Sequence, residues 1–164
     1  MDPQGTEPKL ARMSIVIAYD GTPSSKRALA TAAGVLGGEH AFVLYVWSPP
    51  ERYLSDAFST SDAPGPSQEE LVTRVQARAQ EVADEGVALA RTLGLDAEAR
   101  SERNSSGVWR AILDFAERED ASVIVAGTHG ETAVQPAPLG SVSNALAHHS
   151  DRALLIVPSG PSAA

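Results

Sequence analysis

The feature that most constrains this chain is a set of short apolar runs that do not alternate with polar residues. Ser14–Tyr19 (SIVIAY) and Ala121–Ala126 (ASVIVA) are apolar along nearly their whole length. A strand with one wet face alternates, so runs of this kind must be covered on both faces. Parallel strands separated by helices satisfy that requirement, and the segments between the runs read as helices.

The first run ends at Asp20–Ser25 (DGTPSS), which opens a helix with Thr22 as N-cap and Pro23 at the first helical position. That helix runs to about Leu36, where Gly37-Gly38 stops it. Ala41–Trp47 (AFVLYVW) is the second strand, and strand, helix, strand implies a right-handed parallel crossover. Residues 48–68, rich in Pro, Ser, Asp and Gly, read as a long mobile loop. A long helix follows from Glu69 to about Leu93, with an apolar stripe at Leu71, Val75, Ala79, Val82, Gly86, Leu89 and Leu93. Asp96–Ser101 is a polar third strand placed near an edge. Ser105 or Ser106 is expected to cap the next helix, whose inward positions are Val108, Ile112, Phe115 and Ala116. Ala121–Ala126 is the fourth strand, Ser141–His149 a short helix, and Ala153–Val157 the fifth strand. The expectation is one doubly wound α/β domain over residues 13–158, a five-stranded parallel sheet with helices on both faces. Residues 1–12 and 159–164 are expected to be flexible tails.

Charge narrows the function classes. Thirteen basic and twenty-one acidic residues give a net charge of −8, whereas nucleic-acid binders show a basic face that neutralises phosphates. A small anionic ligand stays compatible, because backbone N–H groups hold phosphate without any net positive charge. The chain has no cysteine, so no disulfide or thiolate metal site holds the fold. No apolar stretch approaches the ~20 residues that span a bilayer, and the N-terminus lacks a signal-peptide run. A cytoplasmic protein without nucleic-acid or membrane partners is the expectation.

Open parallel sheets bind ligands beyond the carboxyl ends of their strands, where the strand order reverses. Two features fall there. One is Asp20-Gly21-Thr22 after the first strand. The other is Gly127-Thr128-His129-Gly130, nine residues, then Gly140-Ser141, after the fourth. Gly127 and Gly130 let backbone approach an anion closely and adopt positive φ. Gly140-Ser141 opens a helix whose N–H groups and dipole suit a phosphate, and the Ser141 and Ser143 hydroxyls add hydrogen bonds. There is no G-K-[ST] of a Walker loop and no G-x-G-x-x-G dinucleotide fingerprint.

At these residues the chain resembles the universal stress protein family, in its ATP-binding branch. The resemblance covers about residues 12–158 and rests on IVIAYDGTPSSKRAL, on FVLYVW, and on GTHG–x9–GSVSNALAHHSDRALLIVPS, which meets the hallmark G-x2-G-x9-G-[ST] without a gap. It implies strand order 3-2-1-4-5 and ATP, AMP or ADP, with Mg²⁺, at the carboxyl edge of the sheet. Asp20 inherits a binding role. Ala18, Tyr19 and Val46 correspond to positions around adenine and ribose, and Gly127, Gly130, Gly140, Ser141, Val142 and Ser143 to ribose and phosphate contacts. The resemblance also implies a homodimer through Ala153–Val157. In one stretch the chain departs from the branch: Glu131–Leu139 carries an acid, two prolines and no base, which favours a less charged nucleotide such as AMP.

Other residues have plainer readings. His129 sits between the motif glycines and either touches phosphate or faces solvent. Asp20 either binds or only caps a turn. His148-His149 suit the negative end of their helix rather than a metal site, and Trp47 and Trp109 read as packing residues. The motif carries no lysine or arginine for phosphoryl transfer, so no catalytic residue is assigned. The reading is a nucleotide-binding regulatory protein acting on a downstream protein. Its rivals are a slow ATPase or nucleotide hydrolase at the same site, and a dimeric interaction protein that binds no nucleotide.

Overall fold

A computed structural model describes residues 13–50, 66–129 and 139–160. Both predicted tails lie largely outside those residues, as do most of the predicted 48–68 loop and all but the end of the 131–139 segment. Five strands alternate with four helices: β1 (Ser14–Ala18), α1 (Pro23–Val35), β2 (His40–Trp47), α2 (Gln68–Thr92), β3 (Asp96–Arg103), α3 (Val108–Arg118), β4 (Val123–Gly127), α4 (Ser141–His149) and β5 (Ala153–Val157). The strands form one sheet in the order β3-β2-β1-β4-β5, and every neighbouring pair is parallel. Polar β3 is an edge strand, as its composition predicts.

Successive strand residues point to opposite faces, and here both faces are apolar. Ile15, Ile17, Val43 and Val125 pack with Ala28, Leu29 and Ala32 of α1 and with Val82, Val87 and Ala90 of α2. Val16, Phe42, Leu44, Ile124 and Ala126 face the other way, onto Ile112, Phe115 and Ala116 of α3 and Leu146 of α4. Two cores therefore sandwich one sheet, which is why its central strands carry no polar alternation.

Local chemistry sets the helix limits. Thr22 accepts a hydrogen bond from the Ser25 N–H at 3.2 Å, and Pro23 follows it in the first turn. The start of α2 is a reciprocal cap that the sequence reading did not use. There Ser67 Oγ accepts from the Glu70 N–H, and the Glu70 carboxylate accepts from the Ser67 N–H at 2.9 Å.

Two expectations are corrected. Neither Ser105 nor Ser106 caps α3; its N-cap is Gly107, at φ +131°. The Gly107 N–H donates to Asn104 Oδ1 at 2.7 Å, and Asn104 Nδ2 donates to Ser48 Oγ at 3.0 Å. A buried asparagine thus binds the end of β3 to the start of α3 and to the residue after β2. On α2, the buried positions are Ala79, Val82, Ala83, Gly86, Val87 and Ala90, and Leu93 is exposed. Leu93 falls off the stripe because it is the C-cap, where the chain turns at Gly94 (φ +85°). Gly86 belongs on the buried face for a steric reason: a Cβ there would stand 2.6 Å from Val43 Cγ1 and 2.8 Å from Tyr19 Cδ1.

Among the described residues no helix is long and apolar enough to cross a membrane.

Candidate functional site

The strand order reverses at β1, whose neighbours are β2 on one side and β4 on the other. Beyond the carboxyl ends of these strands lies a cleft of about 200 Å³. Ala18, Tyr19 and Asp20 enter it from β1, and Leu44, Tyr45 and Val46 from β2. Ala126, Gly127 and His129 come from β4 and its following loop. Val108 and Ile112 of α3 form a further wall, and Gly140–Ser143 close it at the start of α4.

The cleft continues the second core outward. Ala18, Val46, Val108 and Val142 all pack against the α3-side cluster and are only partly buried. Because α4 is short and begins beyond the end of β4, the apolar layer formed by the described residues stays open there instead of closing over the sheet.

Hydrogen bonds fix the polar rim. Asp20 Oδ1 accepts from the Thr22 hydroxyl at 2.6 Å and from the Thr22 N–H at 3.1 Å. The Asp20 N–H donates to Ser25 Oγ at 3.3 Å. Asp20 therefore shapes its turn and also lines the cleft, so the two sequence readings of it are compatible. Opposite, the Thr128 carbonyl accepts from the Gly140 N–H at 2.6 Å and from the Ser143 hydroxyl at 2.8 Å. These bonds dock the start of α4 against the end of β4. His129 Nδ1 lies 3.1 Å from Thr128 Oγ1 and 3.3 Å from Ser159 Oγ. Thr128 Oγ1 shares a hydrogen bond with Ser159 Oγ at 2.8 Å.

The ionisation of Tyr19 is clearly displaced. Burial, then the neighbouring Glu85 carboxylate, pushes its phenol up from 10.0 to about 12. The hydroxyl donates to Glu85 Oε1 at 3.3 Å. Lys26, 2.9 Å away, holds Glu85 below its usual value, chiefly by hydrogen bonding.

The family model described as the universal stress protein family matches residues 12–158. The chain belongs to the universal stress protein family. A curated relative, the universal stress protein in the QAH/OAS sulfhydrylase 3'region of Thermus aquaticus, is 32% identical over 146 residues, covering 88% of this chain and 97% of its own. Among solved structures, hypothetical protein MJ0577 superposes with a TM-score of 0.73 at 20% identity, covering 92% of this chain and 99% of its own. The universal stress protein of Archaeoglobus fulgidus in complex with dAMP has a TM-score of 0.60 at 23% identity, covering 88% and 96%.

In this universal stress protein the residues expected at the site divide into groups. Ala18, Tyr19, Asp20, Val46, Gly127, His129, Gly140, Ser141, Val142 and Ser143 line the cleft. Gly21 and Thr22 do not; they build the turn beneath Asp20, with Gly21 at φ +79°. Gly130 lies outside the described residues. One expected conformation changes. Gly127 does not adopt positive φ; a Cβ there would collide with Ser24 in the first turn of α1. Its close approach is to that helix. Ser143 is buried, and its hydroxyl donates to the Thr128 carbonyl, which anchors the start of α4.

The sequence reading missed Ser25, Leu44, Tyr45, Val108, Ile112 and Ala126 as lining residues. Val108 and Ile112 carried a usable signal, since their i, i+4 spacing had already turned them inward. At the edge of a sheet the inward face of a helix becomes the wall of a cleft. Outside the cleft, the His149 ring stacks on Trp109 with centroids 4.6 Å apart. Among the described residues no three of His, Asp and Glu gather as a metal site.

Proposed function

We propose that this chain is an adenine-nucleotide-binding regulatory protein. The observation that carries the reading is the cleft itself, which combines an apolar slot, a carboxylate oriented by its own turn, and the start of a helix on the opposite wall. Ligand sites of this kind are largely apolar with a few convergent polar groups. The base occupies the slot between Ala18, Val46, Val108 and Val142. Asp20 accepts from a ribose hydroxyl, and phosphate lies at the N-terminus of α4, whose N-cap Gly140 supplies no side-chain cap. The Archaeoglobus fulgidus universal stress protein, which shares this fold, forms a complex with dAMP, and that supports an adenine nucleotide as the ligand.

The family resemblance adds three parts to the proposal. The nucleotide is one of ATP, ADP or AMP, with Mg²⁺ accompanying the more highly charged forms. The chain pairs with a second copy along β5, a sheet edge whose Leu154, Leu155 and Ile156 are only half-buried. Nucleotide occupancy alters the surface that a downstream protein reads during the cytoplasmic stress response.

Denaturing freshly purified protein and chromatographing the supernatant tests the reading, followed by equilibrium dialysis of the emptied chain against adenine and guanine nucleotides. Adenine nucleotide carried over, or saturable binding lost on Val108→Trp in a chain that still melts cooperatively, is the expected result. No saturable binding of any adenine nucleotide at millimolar concentration would overturn it.

A further inference from the structure

We infer that residues 158–160, just after β5, form a strap whose docking is coupled to occupancy of the cleft through His129, so that a bound nucleotide tightens it. The inference rests on the nucleotide-binding reading above and concerns how that site is reported at the surface.

The hydrogen bonds of the strap differ from those of the strand before it. The ladder between β4 and β5 extends one step past β4, where the Thr128 N–H donates to the Val157 carbonyl at 3.0 Å. Pro158 then has no N–H to offer, and strand geometry ends. From that point side chains hold the chain. The Ser159 N–H donates to Thr128 Oγ1 at 3.1 Å. Ser159 Oγ lies 2.8 Å from Thr128 Oγ1, 3.2 Å from Ser24 Oγ and 3.3 Å from His129 Nδ1. Arg27 of α1 packs so closely on Gly160 (φ +85°) that a Cβ there would stand 2.5 Å from its Nη1. An exposed serine outside any helix or strand thus meets three polar side chains, of which Ser24 and Thr128 are buried. Held by hydroxyls instead of a ladder, the strap can release without unpairing β5.

His129 belongs to both sides. It lines the cleft, whereas Ser24, Thr128 and Ser159 do not, and its Nδ1 lies 3.1 Å from Thr128 Oγ1 as well as against Ser159. Each hydroxyl brings one proton, and an imidazole nitrogen donates or accepts according to the tautomer. The chain from Ser24 through Ser159 and Thr128 to His129 can therefore run in either direction, and the role of Nδ1 decides which. A cleft ligand that touches the imidazole fixes its orientation and tautomer. It so selects one direction for bonds that polarise one another. The ordering of His129 is then shared between ligand and strap, and the second to dock meets a side chain already ordered. Coupling of that kind is positive and reciprocal: nucleotide tightens the strap, and the docked strap tightens nucleotide by the same factor. Because the strap continues the edge strand β5, its docking changes the surface at that edge.

Amide exchange followed by NMR on the full chain reads the strap directly, because the Ser159 N–H makes one of its bonds. Saturating nucleotide (AMP, or ATP if AMP does not bind) should slow exchange of that amide by about fivefold or more, the low end of ordinary coupling between sites. By reciprocity Ser159→Ala, at a position off the cleft, should weaken the same nucleotide by a comparable factor in equilibrium dialysis. His129→Phe keeps a ring in the wall and removes the nitrogens. Nucleotide should then leave Ser159 exchange unchanged, and the affinity losses of His129→Phe and Ser159→Ala should not add. Thermal melts establish that each variant is folded. A Ser159 amide that exchanges equally fast or faster in the nucleotide complex would overturn the inference while leaving the nucleotide reading intact. Strictly additive losses in the two folded variants would overturn it too. Absence of saturable binding by AMP and ATP alike would overturn the nucleotide reading and this inference with it.

Discussion

Gly127, the last residue of β4, lies directly against Ser24 in the first turn of α1. A Cβ at Gly127 would overlap the Ser24 hydroxyl oxygen and stand 3.0 Å from the Ser24 carbonyl oxygen. Ser24 is itself buried and shares a hydrogen bond with Ser159 at 3.2 Å. The carboxyl end of β4, the start of α1 and the chain just after β5 are thereby locked together beneath the cleft. Gly127→Ala must push α1 away from the sheet. Overpacking of this kind costs about 1–3 kcal/mol, or a melting temperature lower by roughly 2–12 °C in a chain of this size. Adding Ser24→Ala removes the hydroxyl but not the carbonyl, so the double variant should recover part of the loss. A double-mutant cycle from thermal melts checks this; strictly additive losses would show that the contact is not the cause.

The two glycines inside helices should respond in opposite directions. A Cβ added at Gly34 in α1 would meet nothing within 4 Å, and the position is exposed, so Gly34→Ala should gain up to about 1 kcal/mol from helix propensity. Gly86 in α2 would drive its methyl into Val43 and Tyr19. The same propensity gain is then outweighed by overpacking, with a net loss of about 1–2 kcal/mol. Urea denaturation of both variants settles the matter by the sign of each change.

These contacts show what could be read in the sequence and what could not. The strands and helices were legible because period and punctuation agreed: apolar runs, Thr22-Pro23 at one helix start, glycines at 38 and 94 after two helix ends. The location of the cleft followed from topology, since a parallel sheet with its order reversing at β1 offers one natural crevice. Hidden from the sequence was the partner of each polar atom. Asn104 and Ser106 are both ordinary N-cap residues, and only the path of the chain decides that Asn104 reaches the Gly107 N–H. Ser141 and Ser143 look alike in the motif, yet one is exposed and the other 2% exposed and bonded to Thr128. The steric need for glycine at 127 was hidden as well, because its neighbour across the sheet edge, Ser24, is 103 positions away in the chain.

The cap of α3 gives a direct test. Asn104 is buried, accepts from Gly107 and donates to Ser48. Asn104→Ala leaves buried polar groups without their partner and should cost about 1–3 kcal/mol. Ser106→Ala, at an exposed position that caps nothing, should stay within about 0.5 kcal/mol of the parent. Comparable losses for the two in thermal melts would mean that the cap is misassigned.

Tyr19 makes stability fall in alkali. Its phenol holds its proton up to about pH 12 in the folded chain, against 10.0 for the ordinary group. Between those values the unfolded chain has lost a proton that the folded chain keeps, so stability is complete below about pH 10 and declines as pH rises towards 12. The loss is on the order of 1–2 kcal/mol across that window. Tyr19→Phe should remove this part of the slope, leaving what the two lysines and the other two tyrosines contribute. Ultraviolet titration of the native protein should show a phenol ionising well above 10 that Tyr19→Phe removes, and a single transition near 10 for all three tyrosines would contradict the assignment.

Ser141 and Ser143 separate the building of the site from its use. The Ser143 hydroxyl donates to the Thr128 carbonyl from a buried position, and that carbonyl keeps a second donor in the Gly140 N–H. Ser143→Ala should therefore cost about one ordinary hydrogen bond, roughly 1 kcal/mol, seen as a melting temperature lower by about 2–4 °C. Ser141 faces the cleft from an exposed position, so Ser141→Ala should leave stability within about 0.5 kcal/mol. On the proposed function it should weaken nucleotide binding by about 2- to 10-fold, the worth of one neutral hydrogen bond. Melts and equilibrium dialysis on the same two preparations read both effects. If Ser141→Ala destabilised the chain while Ser143→Ala left its melting unchanged, the start of α4 would be anchored differently from the geometry described, and the phosphate would need another seat.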